Sequence, residues 1–116
     1  MPMSDKRILR RKESLFYLKI VESSSGELIG RLIDITVDGF KLISRKAIEL
    51  NKEFDLVLEL PESLEGDNKM IFRAISLHTK KDINPDYNDT GFKFVDLSKE
   101  NFTKISLILK KYIFEN

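Results

Sequence analysis

Between about residue 15 and residue 95 the chain alternates apolar and polar residues in six short runs divided by turn-forming stretches. Residues two apart lie on the same side of a strand, so each run offers one face to a core. Phe16, Leu18 and Ile20 mark the first run, over Leu15 to Val21. Ile29, Ile33 and Ile35 share one face of the second, opposite Gly30, Leu32, Asp34 and Thr36. Phe40 and Leu42 mark a short third. Phe54, Leu56, Leu58 and Leu60 mark a fourth, which Pro61 is expected to stop. Ile71, Ile75 and Leu77 share a face of the fifth, over residues 69–79, and residues 91–95 form the sixth. Asp38-Gly39 reads as a tight hairpin, because glycine tolerates positive φ. The stretch 45–53 reads as a connection with room for a short helical turn. None of these joins leaves space for the crossover of a dozen or more residues that parallel pairing requires. The pattern therefore predicts an antiparallel sheet.

The period changes after residue 97. Ser98 is an expected N-cap with Glu100 in the first turn, and Phe102, Ile105, Leu109, Tyr112 and Ile113 recur at helical spacing. Lys110 and Lys111 stand near the end, where cations suit the helix dipole. With 116 residues and 41% hydrophobic content the chain suits one core. The expected fold is all-β with a C-terminal α-helix: a six-stranded antiparallel β-barrel over residues 13–116, preceded by a flexible basic arm at 1–12. No apolar run approaches the roughly twenty residues of a membrane span. Cysteine is absent, which fits a reducing compartment and excludes disulfides and thiolate metal sites. We expect a cytoplasmic protein without membrane insertion.

Catalytic signatures are missing. There is a single histidine, His78, which on its own reads as a partly exposed surface residue. A zinc site would need more His or Cys. No triad spacing, phosphate-binding glycine loop or dinucleotide fingerprint occurs. No enzyme, metal or cofactor is expected. Two stretches remain. KRILRRK, residues 6–12, gathers five cations in a chain whose net charge is only +1. Arginine matches phosphate and guanine with paired N–H donors. The rest of the chain is slightly acidic, so a small dianion suits this patch better than a long nucleic acid. DITVDGF, residues 34–40, puts the Asp34 carboxylate and the Thr36 hydroxyl on one outward face beside Gly39.

Arg7 and Arg11 have RxxxR spacing, and Asp34, Thr36 and Gly39 have the spacing of [D/N]xSxxG, with threonine in place of serine. GFKFVDLS, residues 91–98, follows in order before the helix. Together these resemble the PilZ domain, a bacterial receptor for the second messenger cyclic di-GMP. The resemblance implies a split barrel whose arm closes over the ligand. Arg7 and Arg11 would grip guanine and phosphate, and Asp34, Thr36 and Gly39 would supply the barrel side. Lys6 and Arg10 could serve the phosphates of a second ligand molecule or simply face water. Ordering of the arm would pass the signal to an unidentified downstream protein, with self-association through the C-terminal helix left open. The competing expectation is a PilZ-like adaptor that binds protein without nucleotide. A small nucleic-acid-binding barrel fits less well, for want of an exposed aromatic row, and no DNA or RNA is expected.

Overall fold

Inward-facing leucine, isoleucine and phenylalanine side chains draw six strands around one core. The computed structural model describes residues 18–64 and 67–110, and side chains outside 61–67. The strands are β1 (Lys19–Glu22), β2 (Leu28–Ile35), β3 (Gly39–Ser44), β4 (Glu53–Leu64), β5 (Asp67–Lys81) and β6 (Asn88–Val95), followed by α1 (Lys99–Leu109). They close an antiparallel barrel in the order β1-β2-β3-β6-β5-β4. The expected barrel and its helix are therefore both present. Residues 1–17, which hold the arm, and Lys111, Tyr112 and Ile113 lie outside the described residues.

The barrel is filled by Ile20, Leu32, Leu42, Leu56, Leu58 and Met70, all essentially inaccessible, and by a phenylalanine cluster. The Phe40 ring stacks on Phe92 at 4.8 Å and meets Phe72 and Phe94 at 5.4 and 5.3 Å. Each such ring pair contributes about 0.5–1.5 kcal/mol beyond the area it buries. Ser98 caps α1 by accepting from the Asn101 N–H at 3.1 Å, and Ile105 and Ile108 complete the core. Ile108 was not among the helix residues singled out by spacing, and Phe102, which was, is half exposed.

Several local expectations need correction. Pro61 does not end β4, which continues to Leu64. The β4–β5 register shifts between Glu59 and Leu64, and an irregular stretch tolerates a residue with no N–H to donate. The connection 45–52 contains no helical turn. It is tied to β5 instead. Buried Ser76 donates to the Glu49 carbonyl at 2.6 Å, and the backbones of Asn51 and Lys52 bond that of Ser76. Ile71 and Leu77 lie on the outer face, 61% and 44% exposed, while Met70, Phe72, Ala74 and Ser76 point inward. In β2 Ile29, Ile33 and Ile35 do not form one face: Leu32 and Ile35 enter the main core cluster, Ile29 packs against it, and Ile33, though buried, lies outside it.

Candidate functional site

Strict alternation along β2 would carry the inward side from Leu32 to Asp34, and along β5 from Ser76 to His78. Neither happens, because each strand holds a bulge there. The β2–β3 register shifts between Leu32 and Asp34, and the β5–β6 register shifts between Ser76 and His78. One extra residue in each strand turns the following polar side chain outward. Both bulges fall at the same level of the barrel. Asp34 pairs with Lys41, Lys41 with Gly91 and Gly91 with His78, giving one outward row across β2, β3, β6 and β5. A cleft of about 490 Å3 lies over this row and is also lined by Thr36, Asp38, Gly39 and Lys93.

The β2–β3 turn forms one wall. The Thr36 hydroxyl accepts from the N–H groups of Asp38 at 3.1 Å and Gly39 at 3.3 Å. The Thr36 N–H donates to the Gly39 carbonyl at 2.8 Å. Threonine thus closes the turn with its own side chain. Asp34 is half-buried, and its Oδ1 accepts from the Ile35 N–H at 3.0 Å. Gly39 is needed for a reason other than positive φ, which among the described residues occurs at Gly26, Asn51 and Asp96. A β-carbon at Gly39 would overlap the Phe92 carbonyl oxygen. Glycine here lets the hairpin lie against β6, where the Phe94 N–H donates to the Asp38 carbonyl at 3.0 Å.

His78 and Gly91 form the opposite wall. A β-carbon at Gly91 would stand 2.5 Å from His78 Cε1 and 2.6 Å from Nε2. The imidazole therefore occupies the gap that glycine leaves, and the ring is otherwise exposed to the cleft. The sequence contained His78 and GFKFV without any sign that they touch, since the bulge that joins them is a property of long-range register. Lys41 and Lys93 flank Gly91 on the same outer face, both exposed. Among the described residues neither has an ion-pair partner.

A larger cleft, about 710 Å3, opens between β2, β3, the 45–52 connection and the β5–β6 loop. Two of its cations, Lys52 and Arg45, have partners on its wall. Lys52 pairs with Glu49 at 3.7 Å and lies 5.1 Å from the centre of the Phe54 ring, and Arg45 lies over Tyr87. Elsewhere on the barrel, the Asp55 carboxylate accepts from Arg73 Nε at 3.1 Å and raises the pKa of that guanidinium. No group of three or more His, Asp or Glu that could hold a metal occurs among the described residues.

Of the expected site residues, the structure brings Asp34, Thr36 and Gly39 together. Lys6, Arg7, Arg10 and Arg11 lie outside the described residues. The point from which they depart is visible. The Leu32 N–H donates to the Leu18 carbonyl at 2.8 Å, and β1 runs antiparallel to β2. The chain therefore joins β1 at the end where β2 reaches Asp34.

Several solved structures share this architecture, among them these two. The PilZ domain of YcgR from Escherichia coli, determined with c-di-GMP, superposes with a TM-score of 0.61 at 14% identity, covering 90% of this chain and 83% of that one. The Bacillus subtilis inhibitor of motility MotI/DgrA superposes with a TM-score of 0.59 at 14% identity, covering 87% of this chain. This chain spans half the length of that protein. No curated protein matches the sequence. The PilZ domain family model matches residues 10–115, a span that contains Arg11, Asp34, Thr36 and Gly39 but not Arg7, and this chain belongs to the PilZ domain family.

Proposed function

We propose that this protein is a receptor, not an enzyme, and that it binds cyclic di-GMP between the basic arm at residues 1–12 and the cleft over Asp34. The observation that carries this reading is the position of Asp34. Its carboxylate is turned outward by a bulge, next to the end of β1 from which the arm extends. Arg11 precedes Leu18 by seven positions, a reach of about 24 Å for extended chain, ample for a side chain to come back over the cleft. Arg7 and Arg11 take the guanine acceptor edge and the phosphates, where paired N–H donors are strongest. Asp34 accepts from guanine N–H groups or orients one of these arginines. Thr36 and Gly39 act mainly by holding the turn that presents Asp34. Lys6 and Arg10 are positioned in sequence to serve a second ligand molecule. Binding orders the arm, and the ordered arm with its nucleotide offers a new surface to a downstream protein.

Calorimetric titration with cyclic di-GMP tests this reading and gives the stoichiometry. We expect saturable binding that Arg11→Ala weakens at least tenfold, the loss of one good paired contact. No measurable heat at high micromolar ligand would reject it. A second reading, a nucleotide-independent adaptor, draws on one observation. The Thr36 hydroxyl already makes its hydrogen bonds within the turn, so it has less to offer a ligand. Partner capture that is indifferent to cyclic di-GMP, together with silent calorimetry, would favour that alternative.

A further inference from the structure

We infer that the ligand site continues beyond the hairpin, across β6 to β5, with His78 as an aromatic platform for a purine base and Lys41 and Lys93 as phosphate contacts beside it. This rests on the nucleotide-receptor reading above. Three independent features of the β5–β6 side point to it.

The first is the bulge. Residues Met70, Phe72, Ala74 and Ser76 alternate inward, and continuing that alternation would bury His78. The register shift after Ser76 exposes it instead, in line with Asp34. Bulges commonly re-aim a side chain toward a site. Across from the bulge, β6 supplies the inward residue: Thr90 is fully buried, and its hydroxyl donates to that of Thr79 at 3.2 Å. The bulge therefore changes the presentation of Leu77 and His78 and leaves the interior filled.

The second is Gly91. A β-branched or even an alanine side chain would fit the outer surface of an antiparallel strand better than glycine, which weakens a strand interior. Here the missing β-carbon makes a seat for the imidazole. A seated ring loses little further freedom when a base stacks on it, which favours binding.

The third is charge. Lys41 sits directly across β3–β6 from Gly91, and Lys93 stands two positions along β6 on the same face. Unlike Lys52 and Arg45 in the larger cleft, these two ammonium groups are not engaged among the described residues. A purine stacked on His78 would put its attached phosphate within their range.

The test compares wild type, His78→Phe, His78→Gln, the double variant Lys41→Gln/Lys93→Gln and Arg11→Ala in titrations with cyclic di-GMP, each variant first shown folded by its melting curve. His78 is exposed, so these substitutions leave the core intact. We expect His78→Phe to bind within a few-fold of wild type. His78→Gln, which keeps hydrogen bonding but removes the ring, should bind roughly tenfold or more weakly, the usual loss for one stacked base. The double lysine variant should bind more weakly and show a flatter dependence on salt. In wild type the His78 Hε1 resonance should shift on saturation with ligand. If Arg11→Ala loses binding while His78→Gln binds like wild type and the resonance does not move, the inference is wrong and the receptor reading stands. If no protein in the set, wild type included, binds, both are wrong.

Discussion

The two walls of the cleft use glycine in opposite ways. On the β2–β3 side, Gly39 meets backbone: a β-carbon there would run into the Phe92 carbonyl, which cannot step aside without moving β6. On the β5–β6 side, Gly91 meets a side chain, the edge of the His78 ring, which can rotate away. The motif glycine thus belongs to the construction of the barrel, and the glycine outside the motif belongs to the surface of the site. A residue's membership in a binding motif does not by itself make it a ligand contact. The comparison can be broken by substitutions that act on both walls, on one, or on neither.

Phe40→Ala should have the largest effect, because Phe40 follows Gly39 on the hairpin and stacks on Phe92 of β6, joining the walls. We expect about 3–5 kcal/mol of lost stability, read as a lower denaturation midpoint with unchanged slope, and loss of both walls together. Gly39→Ala comes next. Forcing a methyl group against backbone should destabilise by about 2 kcal/mol, a shift of several degrees in melting temperature. A Gly39→Ala protein that melts like wild type would show that the hairpin can lift off β6, and the contrast between the two glycines would be lost. Thr36→Val removes the acceptor for two turn N–H groups and should lose about 1 kcal/mol. Thr36→Ser keeps the hydroxyl and should stay within about 0.5 kcal/mol of wild type. Equal melting of the valine and serine variants would mean that the turn holds without the hydroxyl.

The same contrast separates what was legible in the sequence from what was not. The hairpin side is local. Asp34, Thr36 and Gly39 lie within six residues, and their spacing identified them. Even so, of the two properties of glycine expected at Gly39, positive φ is not used and close approach is, and the backbone approached, that of Phe92, lies more than fifty positions away. The β5–β6 side is wholly non-local. Alternation placed Ile71 and Leu77 on one face without saying which, and it gave no warning of a bulge, since a bulge appears only when β5 is registered against β6. The core was largely visible through Phe40, Leu42, Leu56 and Leu58, whose alternation is unbroken. The helix was visible through Ser98 and Ile105, though the depth of Ile108 depends on how α1 settles on β5. Short-range chemistry was therefore readable, and features created by pairing distant strands were not.

Gly91→Ala is the smallest change in stability and the most telling. Alanine suits an extended strand better than glycine by about 0.5–1 kcal/mol, because the unfolded chain has less freedom to lose. Displacing an exposed imidazole offsets part of that gain. The melting temperature should therefore stay close to that of wild type. Ligand binding should fall by as much as in His78→Gln, because the ring no longer has its seat. Adding His78→Gln to Gly91→Ala should then have little further effect, since both remove the same platform, whereas independent roles would give additive losses. An unstable Gly91→Ala protein would place this glycine with Gly39 as part of the barrel's construction. A stable one whose binding is unchanged would mean that the seat has no bearing on the ligand. The expected combination, stable and weak, is the one that only a glycine serving the site can give.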